Sequence, residues 1–274
     1  MNMQTKALET LSQPIHQENS IALNAHSANS IAIEAQARDK AKKLGWYERI
    51  QDYLGEFIYG GIDGSITTFA IVAGSVGADL NSAIIIVLGF ANLLADGFSM
   101  SIGAYLAAKS EQDNYTKHAN LKAKQIEQYP ELEQQRIKTI YERKGFRGKL
   151  LKKSVEHVIK SKTIWLDELM RNDLDMIEDK RSPIMIGWMT YCAFLIFGFI
   201  PIMVYVWDYC FGLNANLFLW ASIFTSLSFL LIGWLKALVN ETSKWRSVLD
   251  TMALGTLAAG VAYLIGDVLE KWIH

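Results

Sequence analysis

The chain has 274 residues, of which 51% are hydrophobic and 20% are charged, and its formal net charge is −1. The apolar residues lie in long runs that alternate with a densely charged middle section, which argues against a soluble protein and is typical of a membrane protein. The two cysteines, Cys192 and Cys210, form no CxxC pair and exclude a disulfide framework. The near-neutral charge gives no reason to expect a nucleic-acid partner.

The N-terminal region divides into two predicted segments. Residues 1–44 are polar, poor in aromatic side chains and without the apolar core of a cleavable signal peptide, so we predict a disordered tail. Residues 45–56 carry apolar side chains at helical spacing beside a basic cluster, which predicts an amphipathic helix in the cytosolic interface of a membrane. A simple extension of the first span into water explains the same spacing.

Five apolar segments are long enough to cross a bilayer, which needs about 20 helical residues. They cover residues 57–78, 83–108, 184–207, 213–235 and 248–269. Only the turn-like sequence ADLN separates the first two, so region 57–108 is predicted to form an antiparallel hairpin, and region 183–272 holds the other three spans. The fold class is therefore all-α, a polytopic membrane protein with five transmembrane helices and a cytosolic helical domain, 109–182, between helices 2 and 3. The alternative, a soluble helical core, would need several long buried helices without a polar face.

The distribution of lysine and arginine predicts the orientation of the spans. Basic residues cluster before span one and between spans four and five: Arg38, Lys40, Lys42, Lys43, Arg49, Lys236, Lys244 and Arg246. Residues 109–182 are also rich in both types, whereas the connections 78–81 and 208–216 contain neither. By the positive-inside rule, the N-terminus is cytosolic and the C-terminus lies outside.

Two aspartates lie inside the predicted hairpin, where each costs about 2.5–3.5 kcal/mol on the insertion scale. With a rise of about 1.5 Å per residue, Asp63 lies about 9 Å deep, and Met100 and Asp96 lie about 12 and 18 Å deep, in one layer. Asn92, Asp96 and Met100 follow at four-residue steps and form one stripe. Carboxylates, an amide oxygen and a thioether on facing helices suit a divalent transition metal such as Fe²⁺ or Mn²⁺. The alternative is that both aspartates bind polar neighbours across the helices.

Glycines surround the first of these aspartates. Gly60 and Gly64 are four residues apart, which is the spacing of a helix-packing face. Glycine also loosens a helix, which would suit a gate, but close packing is the simpler interpretation.

The charged middle section, 109–182, is predicted to form two or three amphipathic helices, the first of which continues span two. The sequence WLDELMRNDLDM places a thioether and a carboxylate three residues apart, on one helical face. Clustered carboxylates with a thioether are candidate metal ligands, whereas charged helix faces are more often solvated and paired with lysine. The candidates are Glu111, Glu127, Glu131, Glu133, Met170 and Asp173.

Five segments carry a resemblance to a known family: YGGIDGSITTFAIVAGSVGA, ADGFSMSIGAYLAAKSEQDNY, WLDELMRNDLDM, GFIPIMVY and LAAGVAYLIGDVL. In this order they are similar to the signature segments of the vacuolar iron transporter family, from about Tyr47 to the C-terminus. The resemblance implies a five-span dimer that moves Fe²⁺, often also Mn²⁺, out of the cytosol in exchange for protons. These ions are cargo, and no prosthetic group is expected.

The resemblance also implies roles for individual residues. Asp63 falls on the Asp-Gly motif that lines the family's pathway, and Met100 falls on its Ser-Met motif. Glu and Met side chains of the cytosolic domain capture metal in this family, and Met170 and Asp173 fall on its Met followed three residues later by an acid. The chain departs from the family pattern in having Ala104 for a pathway Glu, Asp173 for Glu and Leu169 for the first of two Met. The ExxE pattern of the insert is matched only loosely.

These observations predict that the insert collects metal and passes it to Asp63, Asp96, Asn92 and Met100, and that protonation from the far side releases it. The alternative function is a non-transporting membrane scaffold or a metal-sensing regulator. We expect no enzyme, since there is no GxSxG or HExxH motif and the five histidines lie outside the spans. The bacterial plasma membrane is the favoured location, and the vacuolar membrane is the alternative.

Overall fold

The computed structural model describes residues 51–212 and 216–273, and within these ranges the chain forms eight helices and no strand. They are α1 Leu54–Gly77, α2 Ser82–Gln128, α3 Pro130–Arg143, α4 Gly148–Ile159, α5 Lys162–Asn172, α6 Pro183–Phe211, α7 Leu217–Val239 and α8 Lys244–Ile273. Five of them, α1, α2, α6, α7 and α8, are long and apolar enough to cross a membrane. The predicted all-α fold class and the five spans are confirmed. The predicted tail at 1–44 and the first half of the predicted interfacial helix, 45–50, lie outside the described residues, and its last three residues, 54–56, belong to α1.

The hairpin of α1 and α2 is joined by the tight turn that the sequence predicts. Asp79 takes a left-handed conformation with φ 49°, which is tolerated by aspartate and asparagine better than by most residues. Asn81 caps α2, its side-chain oxygen accepting a hydrogen bond of 3.0 Å from the Ile84 backbone nitrogen. From this cap α2 continues without interruption for 47 residues, or about 70 Å, so it reaches well beyond the apolar region.

Helix α1 is the centre of the membrane part and contacts α2, α6, α7 and α8. Gly60 and Gly64 form its closest approach to α6. A Cβ built on Gly60 would lie 2.5 Å from the Thr190 carbonyl oxygen, and one on Gly64 would lie 2.6 Å from the Phe194 carbonyl oxygen. The predicted packing face therefore exists, and its partner is α6 of the same chain.

Hydroxyl groups join three of the central helices inside the apolar core. Ser65 on α1 is fully buried and donates a hydrogen bond of 3.2 Å to the Phe197 carbonyl oxygen on α6. Its hydroxyl also lies 3.0 Å from the hydroxyl of Ser228 on α7. Small polar residues that bond across helices are typical of membrane bundles, where an unpaired hydroxyl would be costly.

The insert, residues 109–182, has a hydrophobic core of its own. It is built by the second half of α2 together with α3, α4 and α5, and its buried residues are Ile126, Ile137, Ile140, Leu151, Val155, Val158, Trp165 and Leu169. The apolar side chains of these short helices recur at helical spacing and face one another. Because α2 belongs to both parts, the insert is attached directly to the second membrane helix.

Candidate metal site in the first two membrane helices

The two intramembrane aspartates lie on α1 and α2 and are both partly buried. The helices α1 and α2 contact each other, and the carboxylate of Asp63 is within electrostatic range of the carboxylate of Asp96. Within residues 51–212 and 216–273, neither carboxylate forms a hydrogen bond or an ion pair. Two carboxylates without a counter-ion cannot both ionise at low cost inside a membrane, and a bound cation or protons would remove that cost.

Asn92 lies one helical turn before Asp96 on the same stripe of α2. Its side-chain nitrogen is buried and finds no hydrogen-bond partner in the part of the chain that the structure describes. A buried amide without a partner costs about 1–3 kcal/mol and is uncommon outside functional sites. The unpaired atom is an N–H donor, so it calls for an oxygen acceptor, whereas a metal would be bound by the amide oxygen of the same side chain.

Met100, the fourth predicted ligand, is partly buried one turn after Asp96. Its side chain packs against the apolar cluster that Leu93 forms with Phe194 and Ile202 of α6. This contact shows a packing role for Met100, and its role as a thioether ligand stays a prediction.

Both aspartates have exposed neighbours on their own helices. Tyr59, one turn before Asp63, is 67% exposed. On α2, small residues at four-residue steps form an exposed stripe beside the acids, which consists of Ala91, Ala95, Ser99 and Gly103. The acids therefore border a face that the described helices of this chain leave uncovered.

A second polar cluster, which the sequence did not indicate, lies at the start of α1. Arg181, just before α6, donates a hydrogen bond of 2.6 Å to Glu56 in the first turn of α1 and further bonds to Asp179. Gln112 on α2 donates to the carbonyl oxygens of Asp179 and Arg181. The Tyr53 hydroxyl accepts from the Ser182 backbone nitrogen at 2.9 Å. These bonds tie the end of the insert to α1 two turns before Asp63.

In the insert, three of the predicted carboxylates are exposed. Glu111 and Glu127 lie on α2 and Glu131 lies on α3. Glu127 forms an ion pair with Lys162 of α5, and the hydrogen bond and charge of this lysine lower the pKa of Glu127 below its ordinary value. Glu131 lines an open groove of about 440 Å³ between α3 and α4. These three predicted ligands do not converge on one point.

The other three predicted residues of the insert are buried or partly buried. Met170 is fully buried and Glu133 is 1% exposed. Asp173 ends α5 and lies 2.7 Å from the Lys122 ammonium, which also pairs with Glu133 at 3.4 Å. Burial alone would raise the pKa of Asp173, but the hydrogen bonds and charges of Lys122 and Arg136 hold it below its ordinary value.

No group of three or more His, Cys, Asp or Glu side chains with metal-binding geometry occurs in the described ranges. The acids on α1 and α2 are a pair, which needs amide, thioether, water or partner ligands to complete the coordination of a transition metal. The role of each predicted site residue in metal binding stays a prediction.

Comparisons with known proteins identify several that are similar in sequence to this chain. The sequence profile of the VIT family matches residues 54–267. A vacuolar iron transporter of Toxoplasma gondii is 32% identical over 80% of this chain and 75% of its own length. One of Plasmodium falciparum is 30% identical over 81% of this chain and 84% of its own. Vacuolar iron transporter 1 of Arabidopsis thaliana is 27% identical over 78% and 85%.

Proposed function

The chain belongs to the VIT family, and on this premise we propose that it is a divalent transition-metal transporter that exports Fe²⁺ or Mn²⁺ from the cytosol in exchange for protons. Its role would be iron and manganese homeostasis and detoxification. The observation that carries the proposal is the pair of unbonded carboxylates, Asp63 and Asp96, within electrostatic range of each other on two membrane helices. The names of the relatives are in line with an iron cargo.

The chemistry of the pair suits a metal–proton exchange. Two ionised carboxylates balance the charge of one divalent cation, and Asn92 and Met100 lie one turn on either side of Asp96 to add an amide oxygen and a thioether. Metal ligands must be deprotonated, so protonation of Asp63 and Asp96 releases the ion. With two protons bound, the site has the same net charge as with one divalent ion bound.

The direction of transport follows from the orientation that the basic residues predict. With the N-terminus in the cytosol, the insert and the Arg181 cluster lie on the cytosolic side. Asp63 is then reached from the cytosol past the first two turns of α1, and protons enter from the opposite side.

The uncovered face of the hairpin supports a homodimer. An aspartate that faces lipid costs several kcal/mol, so acids within a membrane helix almost always face protein or water. The exposed stripe of Ala91, Ala95, Ser99 and Gly103 allows the backbone of a neighbouring helix to approach closely. A second copy of the chain on this face would shield Asp63 and Asp96 from lipid.

The proposal is tested with purified protein in liposomes that contain a pH-sensitive dye, by adding Mn²⁺ or Fe²⁺ outside. We expect metal-driven proton movement in the wild type and its loss in Asp63→Asn, which keeps the size of the side chain but removes the charge. Asp267→Asn is the matched control, because Asp267 forms an exposed ion pair with Lys271.

Undiminished exchange by the Asp63→Asn protein would refute the role of this residue. Absence of metal flux in the wild type would favour the alternative, a scaffold or regulator. Zn²⁺ and Ca²⁺ in the same assay define the selectivity.

The membrane in which the protein works is a separate proposal. We retain the bacterial plasma membrane as the favoured location and the vacuolar membrane as the alternative. The named relatives are eukaryotic and are called vacuolar, so they lend no support to the bacterial preference. Either location removes metal from the cytosol.

A further inference from the structure

Four charged side chains form a closed ring where α2, α3 and the end of α5 meet. The Lys122 ammonium of α2 lies between Asp173 and Glu133, at 2.7 Å and 3.4 Å. Arg136 of α3 closes the ring from the other side, with 3.3 Å to Glu133 and 3.1 Å to Asp173. Cations and anions alternate around this ring, and its net charge is zero.

The ring involves two of the carboxylates that the sequence makes candidate metal ligands, Glu133 and Asp173, and the family resemblance implies metal capture for Asp173. A divalent ion shared by Glu133 and Asp173 would lie about 2.0–2.6 Å from an oxygen of each. The Lys122 ammonium already lies between the same two carboxylates. A metal and the ammonium cannot both occupy this position, and the charge of Arg136 would repel the metal further.

Burial makes the ammonium difficult to displace. The side chain of Lys122 is 7% exposed and that of Glu133 is 1% exposed. An ammonium expelled from this position would either remain buried without a counter-ion, which is strongly destabilising, or force the surrounding helices apart. A third predicted ligand, Met170, is fully buried one turn before Asp173 and offers only a weak thioether in compensation.

We propose that Lys122 takes the place of the metal in this insert. The insert folds around its own tethered cation, and Glu133, Asp173 and Met170 do not capture divalent ions. A metal ion that follows the proposed route to Asp63 therefore does so without binding to these three residues. This inference concerns the insert alone and holds whether or not the proposed transport at Asp63 occurs.

The test counts the Mn²⁺ ions bound by the full chain in detergent micelles, by electron paramagnetic resonance titration with Mn²⁺ alone. Wild type and Asp173→Asn should give superimposable titrations. Lys122→Gln should bind one additional Mn²⁺ per chain, and the double variant Lys122→Gln/Asp173→Asn should lose it. Asp113→Asn controls for the loss of one carboxylate, because Asp113 is exposed and pairs with Lys109 on the surface of α2.

Two results would overturn the inference. One is that Asp173→Asn binds one Mn²⁺ fewer than both wild type and Asp113→Asn. The other is that Lys122→Gln retains its helix content by circular dichroism but gains no ion. If Lys122→Gln loses helix content, the comparison of wild type with Asp173→Asn decides alone. Failure here is distinct from failure of the transport proposal, which depends on flux through Asp63→Asn.

Discussion

Replacing Gly64 by alanine tests whether the close contact of α1 with α6 positions the candidate metal site. A Cβ at this position would lie 2.6 Å from the Phe194 carbonyl oxygen and 2.9 Å from its Cα atom. Both atoms belong to the backbone of a helix, so a side-chain rotation cannot relieve the clash. The two helices must separate by several tenths of an ångström or more, and overpacking of this kind costs about 1–3 kcal/mol.

The opposing effect is the helix propensity of alanine, which contributes about 0.5–1 kcal/mol relative to glycine. Because the obstruction is backbone, we expect the upper part of the overpacking range and a net destabilisation of about 2 kcal/mol. At about 2–4 °C per kcal/mol for a chain of this size, the thermal midpoint should fall by about 4–8 °C. Since Asp63 is the adjacent residue, metal-driven proton movement should fall as well.

The assay is thermal unfolding in detergent, followed by the fluorescence of the eight tryptophans. Gly260→Ala is the matched control, because Gly260 lies in α8 and a Cβ there would meet nothing within 4 Å. We expect its midpoint to stay the same or rise slightly. A Gly64→Ala midpoint equal to or above that of Gly260→Ala would show that the contact does not constrain α1.

Two further predictions concern charged groups outside the spans. Arg181→Gln should lower the thermal midpoint more than Lys271→Gln does, because Arg181 bonds two partly buried acids. The exposed ion pair of Lys271 contributes at most about 1 kcal/mol. Equal shifts of the two midpoints would contradict this prediction. The second concerns acid: Lys122 and Arg136 hold the pKa of Asp173 below its ordinary value despite burial, so its stabilisation is complete above about pH 4 and is lost as pH falls through the folded-state pKa. Circular dichroism as the pH falls from about 4 to 2 should show a smaller loss of helix in Asp173→Asn than in wild type, and identical acid profiles would refute the assignment.

The spans were predictable because the requirement for an apolar segment of bilayer length is local in the sequence. The predicted ends of the five spans lie within four residues of the helix ends, except that α2 continues into the insert, as expected from its helix formers. The turn at 78–81 was predictable for the same reason. Its residues specify the left-handed conformation at Asp79 and the cap at Asn81 without help from distant parts of the chain.

Contacts between distant segments were not predictable in the same way. The spacing of Gly60 and Gly64 indicates a packing face, but only the fold identifies α6 as its partner. Arg181 and Lys122 each stand among many basic residues of a charged region, and nothing in their sequence neighbourhood distinguishes them. Lys122 becomes buried because α3 and α5 close over it, which depends on how the core around Ile137 and Leu169 assembles.

The placement of cations explains why the two groups of acids have different prospects as metal ligands. In the insert, Glu127, Glu133 and Asp173 each pair with a lysine or arginine of the chain. Residues 54–108 contain Asp63 and Asp96 but no Lys, Arg or His, so the hairpin has no side-chain cation to neutralise them. Inside a membrane an unpaired carboxylate is especially costly, so the positive charge that neutralises Asp63 and Asp96 must come from outside the hairpin. A pair of carboxylates can take up this positive charge either as one divalent metal ion or as protons, and can bind the two in turn. The need for a neutralising charge is therefore the physical basis of the proposed exchange.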